Sequence, residues 1–383
     1  MPNLLVISHD ASRTGAPILL LHFLKYLKNN NESINIDIII AKDGALVPEF
    51  SALGNTLVLQ KEAKTSKNKF ISFFYRIQSI CFSTSLKADI TKFIHSKRYD
   101  VIFSNTIVNG YLLNIIKPKG RVLTYVHELE NAIRRFTTQE ALNYTLKFTN
   151  HFLAPSKAVA DNLINKYGIT GDNVSLLHYY IPKVEISKEE QNKLLNDLSL
   201  KDSIIIGGAG TCDWRKGSDI FLQVAVQILK IGMNLPIKFL WIGADKNSED
   251  FKRLIYDAYQ AGVAKDIVII DSVSNAVDYI SIMDVFLLTS REDPYPLVVL
   301  EAAMQSKPII CFENSGGAVE FVIKSGGIVI PYLDILKLVE ALSELILSKE
   351  LRSTLGDNAY KTYAELHSEQ KTVPCFEAFL FNK

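Results

Sequence analysis

The chain lacks the features that would place it in several functional classes. Its 383 residues hold only four cysteines, Cys81, Cys212, Cys311 and Cys375, far apart and with no C-x-x-C pair. That spacing argues against a zinc cluster or a disulfide scaffold and fits reduced thiols in a cytosolic protein. Charge of one sign is missing too. Lys plus Arg number 42 against 41 Asp plus Glu, so no general attraction to nucleic acid is expected. No uninterrupted apolar run approaches the ~20 residues of a membrane-spanning helix. The first residues, Met-Pro-Asn-Leu-Leu-Val-Ile-Ser, enter a strand without a charged leader, so the expected location is cytoplasmic. Several site signatures are also absent: no G-x-G-x-x-G, no G-x-x-x-x-G-K-[ST], no Asp-x-Asp, and His127-Glu-Leu-Glu130 lacks the second histidine of a zinc protease. No metal site is expected.

What the chain does have is an alternation of short apolar runs with helical patterns, the mark of parallel α/β architecture. It occurs twice. Strands are expected at 4–8, 34–40, 56–59, 101–104, 121–126 and 152–154, and again at 203–209, 237–243, 266–270, 284–289, 308–312 and 327–330. A polar, proline-broken stretch around 179–190 separates the sets. The expected domains are therefore 1–183 and 184–364, with 365–383 as a terminal helix returning toward the first domain. Two doubly wound sheets of this kind present the carboxyl ends of their strands, where such folds bind ligands, to a central cleft.

The most informative stretch is Ser290-Arg-Glu-Asp-Pro-Tyr-Pro-Leu-Val-Val-Leu-Glu301. Pro296 fits the first position of a helix, which would leave the amides of Leu297 and Val298 without intrahelical partners and create an anion site. Glu301 follows about one turn later among apolar residues, where a carboxylate needs a partner. Taken alone, it also fits a first-turn glutamate favoured by the helix dipole. Two glycine loops follow strands. Ser8-His-Asp-Ala-Ser-Arg-Thr-Gly15-Ala16-Pro opens a helix near Ala16. Ser8, His9 and Asp10 cannot form a triad there, because neighbours on one strand face opposite ways. The second loop, Gly207-Gly-Ala-Gly210-Thr211-Cys-Asp-Trp-Arg215-Lys216-Gly217, sets flexible backbone beside two cations, suiting a diphosphate, although surface charges at a helix start would look the same. A third loop, Glu313-Asn-Ser-Gly-Gly-Ala318, follows a strand of the same expected sheet.

Taken in order, these motifs resemble the retaining, nucleotide-sugar-dependent glycosyltransferases of family 4, which have the GT-B fold of two Rossmann-like domains. The likeness covers most of the chain. It is strongest from Gly207 to Leu333, and in the first half it rests on Thr14-Gly-Ala-Pro and Tyr125-Val-His-Glu. The resemblance implies transfer from a UDP- or GDP-linked sugar, with no cofactor beyond that co-substrate and no metal. It makes Asp293 the first acid, with Glu292 beside it, and Glu301 the acid on the ribose. Lys216 matches the diphosphate lysine. The family arginine has no counterpart, since Gly210 and Thr211 stand in its region, and Arg215 is the substitute. Leu297 and Val298, after Pro296, would meet the distal phosphate, and His127 matches a histidine directed at the donor sugar. Gly15 and Ala16 complete the substrate contacts. The implied acceptor is a glycan or lipid-linked hydroxyl in bacterial cell-surface polysaccharide synthesis.

Residues 61–82 pass from a lysine cluster into an aromatic run that puts Phe70, Phe73, Phe74 and Ile77 on one helical face. Such a face suits core packing, or peripheral contact with the anionic inner face of a membrane. Three readings compete with the transferase: a nucleotide-sugar epimerase, a phosphorylase, and a non-catalytic nucleotide-sugar-binding protein, since fold does not fix function.

Overall fold

The computed structural model describes residues 2–31, 33–60 and 84–381. The amphipathic stretch at 61–82 lies outside them. Strands form where the sequence is short, continuous and apolar. In the first sheet these are β1 (Asn3–Ser8), β2 (Asn35–Lys42), β3 (Asn55–Gln60), β4 (Val101–Ser104), β5 (Arg121–Tyr125), β6 (His151–Ala154) and β7 (Val174–Leu176). They lie in the order β3-β2-β1-β4-β5-β6-β7, with every pairing parallel. The second sheet holds β8 (Ile204–Ala209), β9 (Ile237–Ala244), β10 (Ile267–Asp271), β11 (Val285–Leu288), β12 (Ile309–Phe312) and β13 (Ile328–Ile330), in the order β10-β9-β8-β11-β12-β13 and again parallel. All twelve expected strands are present, with ends displaced by a residue or two. β7 was not expected: it spans three residues and leaves Leu176 45% exposed, so no buried run marks it.

In both sheets the strand order reverses beside the first strand, between β1 and β4 and between β8 and β11. Chains leaving adjacent strands in opposite directions open a crevice at that point, where doubly wound folds take ligands. The registers are Leu4 with Val101 in one sheet and Val285 with Ile206 in the other. Helices cover the faces. In the second unit Phe221, Phe239 and Trp241 are buried, and the Phe221 ring lies 5.1 Å from that of Trp241. The indole N–H of Trp241 is satisfied by the carbonyl of Gly210 at 2.9 Å, so this core residue also holds the second glycine loop in place.

Two compact units result, residues 1–179 with 372–383, and residues 180–371. The break falls between Tyr179 and Tyr180, ahead of the boundary expected at 183. Side-chain bonding explains the difference. The Tyr179 hydroxyl bonds His127 in the first unit, whereas the Ile181 carbonyl accepts from the Tyr363 hydroxyl in the second, at 3.0 Å. The terminal residues join the first unit through Phe376, stacked on Phe23 at 4.2 Å, and through Arg121, which donates to the Phe379 carbonyl at 3.0 Å. Among the described residues no helix is long and apolar enough to cross a membrane.

Candidate active site

In the second unit the crevice lies between the loops after β8 and β11. The chain leaving β8 turns tightly before the helix Ser218–Ile231, and Gly217 makes this turn possible. Its φ is +70°, and a Cβ there would lie 2.0 Å from the Thr289 carbonyl, so only glycine lets the two loops approach. Asp213 organises the turn, accepting from the Lys216 amide at 2.8 Å and the Thr211 hydroxyl at 2.7 Å. Arg291 fastens the loops together. Its amide donates to the Arg215 carbonyl at 2.8 Å, and its guanidinium makes paired contacts with Asp219 at 2.8 and 2.7 Å.

This frame brings Lys216 onto Asp293. The ammonium donates directly to the Asp293 carboxylate, the two side chains being only 14% and 7% exposed. Arg215 Nη1 lies 3.6 Å from the same carboxylate oxygen and donates to the Glu292 carbonyl at 3.1 Å. Burial pushes the Lys216 pKa down, against the pull of Asp293, and Arg215 pushes it the same way as burial. The Asp293 backbone pairs with the third loop: its amide donates to Ser315 at 2.7 Å, and its carbonyl accepts from Gly317 at 3.1 Å. The resulting site holds two cations and one buried anion, with Gly210 beside them. A Cβ on Gly210 would lie 2.9 Å from the Lys216 side chain.

Leu297–Met304 is helical, but Pro296 is its N-cap, with φ −72° and ψ 123°. It is not the first helical residue expected from the sequence. A fixed φ near −65° suits both positions, and here ψ takes the extended value, placing the helix start one residue later. The amides of Leu297 and Val298 still open the helix, and that of Val299 turns back to the Pro296 carbonyl at 3.1 Å. Glu301 is one turn along. Burial alone raises its pKa to about 7.

The first unit has its own polar cluster at the corresponding place. β1 ends at Ser8, so His9 and Asp10 lie in the loop beyond it and not on the strand, as the triad argument assumed. They are neighbours there at 3.6 Å, and Asp10 accepts from the Ser12 hydroxyl at 3.0 Å. Thr14 is the N-cap of the helix Gly15–Asn30 and makes no side-chain cap bond. His127 follows β5. Its ring is held by Asn105 and Tyr179, and Asn105 in turn donates its amide to the Ala16 carbonyl at 3.0 Å. That donation points the Asn105 oxygen at His127 Nε2, 3.0 Å away. Nε2 must then carry the proton, and Nδ1 accepts from the Tyr179 hydroxyl. Burial, with His9 adding to it, lowers the His127 pKa to about 3, so the ring is neutral. The neighbouring Glu128 carboxylate accepts from the Thr106 hydroxyl and from the amides of Ile107 and His127.

The structure thus groups Lys216, Arg215, Asp293, Glu292, Gly210 and Thr211 in one unit, with Pro296, Leu297, Val298 and Glu301 on the adjoining helix start. It groups His127 with Ala16 in the other. Sequence reasoning missed Asn105, Tyr179 and Asp213, although a polar Asn105-Thr106 pair directly after β4 was an available signal. Asp271, at the end of β10 in the 270–274 stretch that the sequence offers for contact with the donor base, has its Oδ1 buried without a hydrogen bond. Among the described residues no group of three His, Cys, Asp or Glu side chains is arranged to hold a metal ion.

Residues 52–181 match the family described as Glycosyltransferase Family 4, and residues 190–362 match Glycosyl transferases group 1. The chain is 27% identical over 226 residues to alpha-galactosylglucosyldiacylglycerol synthase of Streptococcus pneumoniae, covering 55% of this chain and 59% of that protein. It is 26% identical over 266 residues to the capsular polysaccharide biosynthesis glycosyltransferase CapM of Staphylococcus aureus, covering 69% and 66%. The chain therefore spans about three fifths to two thirds of the length of these curated relatives. Among solved structures, Anabaena Alr3699/HepE in complex with UDP and glucose superimposes with a TM-score of 0.80 at 16% identity, covering 99% of both chains. Sucrose-phosphate synthase from Thermosynechococcus elongatus gives 0.80 at 16% identity, covering 99% of this chain and 98% of that one. With family matches at residues 52–181 and then at 190–362, and with the GT-B fold, the chain is a glycosyltransferase family 4 region followed by a group 1 region.

Proposed function

We propose that the protein transfers a glycosyl group from a UDP- or GDP-linked sugar to a hydroxyl of a glycan or lipid-linked acceptor, with retention at the anomeric carbon. The observation that carries this reading is the convergence of Lys216, Arg215 and Asp293 on the crevice beside a helix start. The cations and the amides of Leu297 and Val298 suit a diphosphate, the last two meeting charge as it develops on the leaving group. Asp293, with Glu292 next to it, is assigned to sugar hydroxyls and Glu301 to the ribose. His127, Gly15 and Ala16 are assigned as substrate contacts in the first unit.

In the reaction the bond from the anomeric carbon to the phosphate oxygen breaks as the acceptor oxygen bonds to that carbon on the same face. The departing phosphate oxygen takes the acceptor's proton, so no protein base is needed. Lys216, Arg215 and the helix amides supply the positive charge that a metal ion supplies elsewhere, stabilising the departing phosphate, so activity should survive chelation. The names of the two curated relatives, one a glycolipid synthase and one a capsule enzyme, support a cell-surface product. A thermal-shift screen against UDP and GDP tests the donor site. Ligand at a hundred times its dissociation constant should add about 2.7 kcal/mol. Stabilisation by neither nucleotide would end this reading.

A further inference from the structure

The loop bearing Asp293 is fixed on its backbone by the third loop, but one side chain anchors it from another direction. Tyr295, between Asp293 and the helix start, turns its hydroxyl inward to Nε2 of His367 at 2.8 Å, the two rings lying 5.4 Å apart. Tyr295 is 5% exposed and His367 is fully buried. His367 is the C-cap of the helix Lys349–Leu366, held there by its own amide on the Tyr363 carbonyl at 2.8 Å, and Phe321 lies against its ring at 5.5 Å. The lysine-to-leucine helix is itself fixed close to the site helix. A Cβ on Gly356 would lie 2.1 Å from the carbonyl of Ser306, just past the end of Leu297–Met304.

We propose that Tyr295 and His367 are a positioning pair, setting the distance between the Asp293 carboxylate and the Leu297 and Val298 amides through one buried hydrogen bond to a rigid helix end. The inference rests on the donor-site reading above. Asp293 and Leu297 stand two residues to either side of Tyr295, so a shift of this side chain moves the sugar contact and the phosphate contact relative to one another. Packing alone would hold a phenylalanine at 295. The hydroxyl adds direction, because a hydrogen bond weakens steeply with angle whereas ring contact does not. Neither residue touches substrate.

The test uses the full-length chain and three variants, Y295F, H367F and the double Y295F/H367F, with UDP and GDP as probes. Each single variant removes the buried hydrogen bond between the two side chains and should lower the melting temperature. The double variant replaces both partners with apolar rings of similar shape and should recover most of that loss. A purely structural pair predicts that nucleotide affinity recovers with stability. A positioning pair predicts that the double variant regains its melting temperature and still binds about tenfold more weakly than wild type, a loss expected of sub-ångström displacement. H367Q, which keeps a hydrogen-bonding group near the Nε2 position, should restore affinity. Wild-type affinity in the double variant would overturn the inference. Wild-type protein that binds neither nucleotide would overturn the donor-site reading, and this inference with it.

Discussion

Neutralising Asp293 should cost more stability than neutralising its partner Lys216, although the two form one ion pair. In K216M the carboxylate keeps Arg215 Nη1 at 3.6 Å and the Ser290 hydroxyl at 3.5 Å, so its charge remains compensated. In D293N the buried ammonium is left beside the like charge of Arg215. Breaking a buried pair by removing one partner costs about 3–5 kcal/mol. Asparagine keeps an acceptor oxygen, which lowers the expectation for D293N to about 2–4 kcal/mol, against about 1–2 for K216M. For a unit of roughly 150–250 residues each kcal/mol is about 2–4 °C, so D293N should melt about 5–15 °C below wild type. The pH dependence has a fixed sign. Lys216 has a folded pKa below its unfolded value of 10.5, so the unfolded chain holds the extra proton at alkaline pH and stability rises as pH rises through that interval. D293N should widen the interval, and its deficit should shrink from pH 7 toward pH 10. A bound diphosphate supplies the missing anion, so UDP or GDP should stabilise D293N more than wild type and K216M hardly at all. Differential scanning fluorimetry across pH, with and without nucleotide, reads all three effects. A deficit in K216M equal to or larger than that in D293N, or equal nucleotide stabilisation of all three proteins, would refute the reasoning.

Three further outcomes are expected. Glu301, with its pKa near 7 when folded against 4.5 when unfolded, holds a proton in the native state, so stability falls as pH rises from 4.5 to 7. E301Q should remove that fall, raising stability at pH 8 by about 1–3 kcal/mol while weakening nucleotide binding by a similar amount. His127 titrates near 3 folded and 6.5 unfolded, so it contributes a loss of stability as pH drops from 6.5 toward 3. H127F should flatten that part of a melting-temperature profile, and should cost about 1–3 kcal/mol at neutral pH by removing the bonds that His127 makes to Asn105 and Tyr179. G217A should destabilise by more than about 3 kcal/mol, or fail to fold, because left-handed backbone and a 2.0 Å clash coincide there. A soluble G217A with a wild-type melting temperature would show that the loops after β8 and β11 can separate freely.

The strands were legible because a parallel sheet covered on both faces needs continuous apolar runs, and residues 204–209 or 285–288 can hardly be anything else. β7 escaped because three half-exposed residues at an edge carry no such signal. Local features of the site were legible on the same terms: a glycine loop with cations, a proline before an apolar helix, a lone glutamate inside it. Contacts between distant residues were not. Lys216 meets Asp293 only because β8 and β11 are neighbours across the reversal of strand order, and His127 meets Tyr179 only because the chain returns past β6 and β7. Even the one-residue error at Pro296 has this origin. Proline fixes φ but leaves ψ free, and tertiary contacts chose the extended value.

The Lys216–Asp293 pair has a consequence for selectivity. Each of these residues is the other's lock. A hydroxyl that takes Asp293 leaves the Lys216 ammonium beside the like charge of Arg215, whereas an anion that takes Lys216 leaves the carboxylate its contacts with Arg215 and the Ser290 hydroxyl, so a sugar arriving alone loses more than a phosphate does. A molecule bringing phosphate and hydroxyls together satisfies both at once. On the donor-site reading proposed above, the crevice then ranks its visitors: a diphosphate can enter, free sugar is a poor intruder, and a covalently joined pair holds best.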